Sequence, residues 1–354
     1  MGGGPVIAAR LVTRALPALH QAAALGRHRS ELHQAAAMAP RVVAGLDGAP
    51  DAGWRTESVR WTGTSVAVAV VARAGDDRHL VVKVPAAAEG VANLQRQVEV
   101  LTMLWEDPRL HGWRSVLPRP VHQGELAGRY YCVEEALPGE QAARLVRRGQ
   151  HARAVLDASA RVIDGLHALT ASRRVVDGAT VEAWVTRPLR RLDRFAETRP
   201  RRRELRAAVD RLGHDLASSL LDRTVRLGWI HGDFWPGNIL ARPGTGRITG
   251  VVDWDQATAD QLPLHDLLHL YLHARRLARR EELGDVVVDA LNGGVPQALG
   301  VPAGLVDAWT DGIPARAALL LCWLRHATLF LDSDGHRGNR YWLRNNVEKV
   351  LLSI

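Results

Sequence analysis

The chain contains 354 residues, of which 47% are hydrophobic and 24% charged, and its formal net charge is +8. This balance is typical of a folded globular protein and excludes a low-complexity or disordered chain. No apolar stretch reaches the ~18 residues of a membrane span, because the best candidate, residues 317–324, ends at Arg325. Cys132 and Cys322 are the only cysteines, which excludes a secreted disulfide framework. We therefore expect a cytoplasmic protein that does not associate with membranes.

Residues 1–40 carry no recognisable motif, and we treat them as an N-terminal extension without an assigned role. The first thirty residues include several arginines and no acidic residue. That pattern is also found in organellar transit peptides. The whole chain is similarly rich in alanine and arginine, so the transit peptide is the weaker alternative.

Short strands separated by turns are predicted in the next part of the chain. Apolar runs bounded by small or polar residues predict strands at residues 58–61, 66–71, 79–84, 116–121 and 130–134. Between the third and fourth of these strands, apolar residues recur at the helical period over residues 91–105, which predicts one amphipathic helix. Residues 41–137 are therefore expected to form a small lobe made of one sheet and one helix.

After Pro138 and Gly139 the pattern becomes mostly helical. One β-hairpin is predicted, with strands at 239–242 and 248–253 around a Gly-rich turn, and the helical pattern returns beyond Asp266. Residues 138–354 are therefore expected to form a larger lobe. The predicted fold class is α+β, with a small β-rich lobe and a larger, mostly helical one.

The densest chemical pattern surrounds this hairpin. His231, Gly232 and Asp233 form a loop, Asn238 follows five positions after Asp233, and Asp253 ends the hairpin. Phosphoryl transfer needs hard oxygen ligands for Mg²⁺ and a carboxylate that accepts the proton of the attacking hydroxyl. An isolated Asp beside a Gly could equally be a turn or capping residue. The joint pattern favours a catalytic site.

These motifs resemble those of the aminoglycoside phosphotransferase and choline kinase-like family, which has a two-lobed, protein-kinase-like fold. The family's H-G-D-x-x-x-x-N is matched by residues 231–238, and its D-[WF]-[DE] by residues 253–255. The resemblance implies that Asp233 is the catalytic base, that Asn238 and Asp253 bind Mg²⁺, and that His231 is a structural packing residue.

Two further acids of the larger lobe match the family's pattern. Asp266 and Leu267 match a D-L pair that opens a helix, and the resemblance implies that Asp266 braces the catalytic loop. Asp255 is either a second metal contact or a brace of its own loop, and the sequence does not decide between the two roles.

The resemblance also implies a nucleotide site in the small lobe. Lysine occurs only at Lys83 and Lys349 in this arginine-rich chain, and a compact ammonium suits the phosphates of a nucleotide. Glu99 on the predicted helix is the expected partner of Lys83, with Glu89 as its rival. The nucleotide-binding residues expected from the family are Lys83, Glu99, Gly63, Thr64, Ser65, Glu135 and Leu137.

The expected function is transfer of the γ-phosphate of ATP or GTP, with Mg²⁺, to a hydroxyl of a small molecule such as an antibiotic or another natural product. The alternatives are a kinase of a primary metabolite, such as a sugar, a choline-like compound or an amino alcohol, and a catalytically dead nucleotide-binding module. A protein kinase is disfavoured, because Gly232 replaces the Arg that precedes the catalytic Asp there. We expect a monomer or homodimer that does not bind nucleic acid, since acids follow the arginine run 201–203.

The acceptor is expected to bind at residues 187–194 and from His265 onward. The arginine-rich larger lobe favours a neutral or anionic acceptor over a polycation. His265, His269 and His273 recur every four residues, a spacing that can bind a metal, but a half-exposed helical stripe is the favoured interpretation.

Overall fold

A computed structural model describes residues 28–48, 53–62, 65–73, 75, 78–149, 152–331 and 339–354. Residues 1–27, which include most of the candidate transit peptide, lie outside this range, as do Gly63 and Thr64. The chain divides into two compact units. The first contains the described residues up to Thr102 together with 118–136, and the second contains 103–117 and 137–354.

The first unit is built on a five-stranded antiparallel sheet in the order β1-β2-β3-β5-β4. Its strands are β1 (Trp54–Trp61), β2 (Val66–Arg73), β3 (His79–Pro85), β4 (Pro120–Leu126) and β5 (Arg129–Glu135). The prediction of a strand at 116–121 was wrong at its start. Residues Arg114–Val116 form a 3₁₀ turn, and the edge strand begins only at Pro120, a position that needs no ladder N–H.

Both faces of this sheet are covered, each by one helix. Helix α1 (residues 28–46) packs on one face, where Ala39 and Val43 are fully buried against the sheet. Helix α2 (Ala88–Glu106) packs on the other through Leu94. The sequence predicted a single helix, although the nearly continuous burial of β2 is typical of a strand that is covered on both faces. Residues 28–40, which had no assigned role, therefore form part of this unit and contribute Ala35, Met38 and Ala39 to its core.

The second unit is mostly helical. Its helices are α3 (Ala142–Arg148), α4 (Ala152–Leu169), α5 (Gly178–Val181), α6 (Arg187–Glu197), α7 (Arg202–Leu220), α8 (Leu264–Arg279), α9 (Leu283–Gly293), α10 (Val295–Leu299), α11 (Ala303–Thr310), α12 (Ala315–Leu331), α13 (Arg340–Leu343) and α14 (Lys349–Leu351). Single π-helical turns precede α6 and α14. None of the helices within the described residues has the length and apolarity needed to cross a bilayer.

Two small antiparallel sheets carry the motif residues of this unit. One contains β6 (Glu140–Gln141), β9 (Ile239–Ala241) and β10 (Ile248–Val251), so the predicted hairpin is present. The other contains β7 (Ser172–Val175), β8 (Thr224–Ile230) and β11 (Thr258–Gln261). Strand β8 leads directly into the His231 loop, and β10 leads into Asp253.

Candidate active site

The loop that follows β8 has a backbone path that only glycine accommodates. Gly232 has φ +80°, in the left-handed region. A Cβ on this residue would overlap the carbonyl oxygen of Gln256 and would lie 2.9 Å from Nη2 of Arg325. The loop therefore lies tightly against its neighbours, and Gly232 allows the chain to turn between β8 and Asp233.

The side chain of Asp266 binds the backbone of this loop. Its side chain is fully buried at the start of α8. Oδ2 accepts a hydrogen bond from the backbone N–H of His231 at 2.8 Å, and Oδ1 accepts one from the N–H of Gly232 at 2.9 Å. Nε2 of the buried His167 lies 3.0 Å from Oδ2. One carboxylate thus connects the loop, α8 and α4.

The charge of Asp266 is stabilised inside the protein. Burial by itself would raise the pKa of this carboxyl group. The hydrogen bond with His167, the charge of His167 and the backbone N–H of His231 together lower this pKa more than burial raises it. The pKa of Asp266 therefore lies below its ordinary value. Asp266 therefore stays ionised while it supports the loop.

Asp233 and Asn238 face each other across the loop. The side-chain amide of Asn238 donates from Nδ2 to Oδ2 of Asp233 at 2.9 Å and to the backbone oxygen of Asp233 at 3.0 Å. Asn238 is buried, whereas the side chain of Asp233 is 34% exposed. The carboxylate is thus fixed on one side and open to a reactant on the other.

His231 links the loop to Val252, which lies between β10 and Asp253. Its Nδ1 accepts from the backbone N–H of Asp233 at 3.3 Å, which leaves Nε2 as the donor to the carbonyl oxygen of Val252 at 2.9 Å. The N–H of Val252 in turn donates to the backbone oxygen of Asn238 at 2.9 Å. The residue that precedes Asp253 is therefore bonded both to His231 and to Asn238.

The oxygen donors in this part of the unit fit a magnesium ion. Asn238 and Asp253 supply amide and carboxylate oxygens, the ligands that Mg²⁺ prefers. Asp253 has φ 65°, a left-handed conformation that non-glycine residues seldom adopt outside functional sites and turns. Asp255 is half-buried and accepts a hydrogen bond from Nε2 of Gln256 at 3.0 Å, a contact that would brace its own loop.

His269 is a third neighbour of Asp233, after Asn238 and His231, and it was not among the site residues predicted from the sequence. Nε2 of His269, on α8, lies 3.2 Å from Oδ1 of Asp233. The half-exposed stripe expected for His265, His269 and His273 is wrong, because all three side chains are buried. Burial, followed by the nearby charge of Arg325, lowers the pKa of His265 to about 3. The four-residue spacing of these histidines on a leucine-rich helix was the sequence pattern that could have indicated their burial on one helix face.

In the first unit, Lys83 lies in a closed polar triangle. Its ammonium is 3.1 Å from Oε1 of Glu134 and 3.2 Å from Oε1 of Gln97, and Nε2 of Gln97 donates to Oε2 of Glu134 at 2.8 Å. All three side chains are buried. The expected pairing with Glu99 was therefore wrong: Glu99 lies on the exposed side of α2, and Glu134 of β5 forms the ion pair.

Three further nucleotide-binding candidates, Ser65, Glu135 and Leu137, lie within the described residues. Ser65 precedes β2 and has φ 58°. Glu135 ends β5, where its backbone N–H donates to the carbonyl oxygen of Arg119 at 2.9 Å. In the second unit, Leu137 packs so closely on Gly250 that a Cβ there would lie 2.7 Å from it. Their roles toward a nucleotide stay predictions.

The comparison with protein families decides the classification. Residues 63–301 match the model of a phosphotransferase enzyme family. The chain belongs to this family. The resemblance stated from the motifs is thereby confirmed.

Individual proteins of this phosphotransferase family resemble the chain over part of its length. An aminoglycoside 3'-phosphotransferase from Streptomyces fradiae is 34% identical over 153 residues, which cover 41% of this chain and 53% of that protein. Its counterpart from Streptomyces ribosidificus is 32% identical over 39% of this chain and 51% of its own length. The chain thus spans about half the length of these curated relatives.

A solved structure supports the fold. An ethanolamine kinase from Plasmodium vivax aligns with a TM-score of 0.51 at 10% identity, over 87% of this chain and 84% of that one. Together with the family match, this likeness confirms the α+β, protein-kinase-like fold class.

Replacement of Asp266 should destabilise the protein strongly. Asp266→Ala leaves two backbone N–H groups and a buried histidine without their acceptor, so we expect a loss of about 3–5 kcal/mol in urea unfolding. The exposed Asp215→Ala on α7 is the control and should change stability by no more than about 0.5 kcal/mol. Because the folded pKa is depressed, the advantage of the wild type over Asp266→Asn should shrink as the pH falls below about 3.8. A loss equal to that of Asp215→Ala would contradict the bracing role.

The corrected partner of Lys83 can be tested by a matched pair of substitutions. Glu134→Gln leaves the buried ammonium without its counter-charge and should cost about 3 kcal/mol in urea unfolding. Glu99→Gln makes the same chemical change on the exposed side of α2 and should stay within about 0.5 kcal/mol of the wild type. Equal effects of the two substitutions would show that Glu134 is not the ion-pair partner.

Proposed function

We propose that this chain transfers the γ-phosphoryl group of ATP, as its magnesium complex, to a hydroxyl group of a small molecule. The observation that carries the proposal is the carboxylate of Asp233, which Asn238 holds on one side and which stays partly exposed on the other. A general base needs this combination of fixed orientation and access.

The transfer requires one proton acceptor. The acceptor hydroxyl gives its proton to Asp233 as its oxygen bonds to the γ-phosphorus, and the bond from that phosphorus to the bridging β–γ oxygen breaks. The products are a phosphate ester and a nucleoside diphosphate. Asn238 keeps the carboxylate in one rotamer, so that positioning and proton transfer act together.

We assign the metal role to residues of the second unit and the phosphate-binding role to a lysine of the first. Asn238 and Asp253 would bind Mg²⁺, which when bound neutralises charge on the transferred phosphoryl group. In the first unit, Lys83 would bind the nucleotide phosphates, and Gln97 and Glu134 hold its ammonium in place. We accordingly assign nucleotide binding mainly to the first unit. The catalytic loop, the metal site and the acceptor site are assigned to the second unit.

A pocket within the second unit supports an acceptor that is not a polycation. Its volume is about 250 Å³, and Arg187, Arg191, Arg325 and His265 contribute to its lining. The lining drawn from the described residues contains no carboxylate. Arg325 also reaches the catalytic loop at Gly232. A pocket of this charge favours a neutral or anionic hydroxyl compound, even though the curated relatives are named as aminoglycoside phosphotransferases.

Removal of the proposed base tests the activity directly. Asp233→Asn should lower turnover by roughly 10²-fold or more while nucleotide affinity changes little, because the base and its orientation are lost together. The exposed Asp260→Asn is the control and should retain wild-type turnover. Product formation is followed by mass spectrometry with ATP and, in parallel, GTP. Wild-type turnover in Asp233→Asn, or a wild type that binds nucleotide but never transfers phosphate, would reject the proposal, the latter in favour of a dead binding module.

The class of acceptor can be tested with compounds that differ in charge. A panel of hydroxylated neutral, anionic and polycationic compounds should yield phosphorylated products among the first two classes. Arg187→Gln should raise KM for an anionic acceptor about 10-fold, equivalent to one lost charged hydrogen bond, with a smaller change in kcat. Arg194→Gln, an exposed arginine on the same helix that does not line the pocket, is the control. Exclusive use of polycations, with KM unchanged in Arg187→Gln, would show that this pocket does not select the acceptor.

A further inference from the structure

Three histidine side chains converge beside Asp233. His269 and His273 lie one turn apart on α8, and their rings stack at 4.1 Å between centroids. His326, on α12, lies 5.2 Å from each of them by ring centroids. One ring nitrogen from each of the three lies within 4.8 Å of the other two.

Two of these rings have buried nitrogens that lack hydrogen bonds. Nε2 of His269 and Nε2 of His273 are inaccessible to solvent and form no hydrogen bond with the described residues. The contact of His269 with Asp233 is within ion-pair distance, but it is not aligned as a hydrogen bond. A buried polar atom without a partner is destabilising, so two of them in one cluster point to a ligand between the rings.

The nitrogen ligands of the cluster indicate which class of ion would bind there. Imidazole nitrogens suit borderline divalent metals such as Zn²⁺, whereas Mg²⁺ prefers oxygen. In a tetrahedral zinc site with bonds of about 2.1 Å, ligand nitrogens lie roughly 3.4 Å apart, so small rotations of these rings would suffice.

We propose that His269, His273 and His326 form a binding site for a borderline divalent cation such as Zn²⁺, separate from the oxygen-ligand site at Asn238 and Asp253. Three protein nitrogens leave a fourth position for water. The site goes beyond phosphotransfer, because its existence does not depend on the proposed reaction.

The test uses Co²⁺ as a spectroscopic substitute for Zn²⁺ on the full-length, tag-free protein. Saturating Mg²⁺ is present throughout to occupy oxygen-ligand sites. The wild type should bind one Co²⁺ with the intense visible absorption of tetrahedral coordination, and Zn²⁺ should displace it. Weak octahedral absorption, or no saturable binding, would show that the rings enclose only water or pack as aromatic groups.

Variants identify the ligands by calorimetric titration with Zn²⁺. His273→Asn and His326→Asn should each weaken binding by at least about 100-fold, since the loss of an outer-shell partner alone costs roughly 10–100-fold. His265→Asn, buried on the same helix but outside the cluster, and the exposed His214→Asn should bind as the wild type does. Near-ultraviolet circular dichroism of the metal-free variants checks the fold, and if one unfolds, the wild-type Co²⁺ spectrum and the other variant decide. An equal loss in His265→Asn, or unchanged binding in both cluster variants, would overturn the proposal.

Discussion

The buried carboxylate of Asp266 is the constraint on which the second unit's site depends. The loop that carries Asp233 has backbone N–H groups, those of His231 and Gly232, that bond to a side chain and not to the backbone of a strand or helix. Asp266 accepts two of them and is itself held by His167. The geometry of the loop is therefore set by α4 and α8, rigid elements outside the loop, and Gly232 allows the close approach that this requires.

Two of the buried polar clusters within the described residues differ in their hydrogen bonding. In the first unit, Lys83, Gln97 and Glu134 each contact the other two, and these contacts hold the ammonium in one position. In the histidine cluster of the second unit, Nε2 of His269 and Nε2 of His273 find no hydrogen-bond partner among the described residues. A complete network stabilises one arrangement, whereas an incomplete one stores a cost that a ligand can remove.

Much of the fold was predictable from sequence, because the strands of the first sheet are short apolar runs between turns and the motifs around Asp233 are local in sequence. The contacts that depend on distant segments were not. Residues 97 and 99 of α2 point about 200° apart, and periodicity alone could not decide which faced Lys83. Glu134 shares a face with Lys83 through strand register, and His326 reaches α8 from another helix. Neither relation can be read from spacing along the chain.

The position of α1 affects how the boundaries of this protein should be drawn. The family match begins at residue 63, after α1 and β1. A fragment cut there would lose an edge strand and expose the apolar side of the sheet that α1 covers, including Val71 and Val82. Exposed sheet edges and apolar faces promote association between chains. A recombinant fragment that begins where the family match begins would therefore start inside this compact unit.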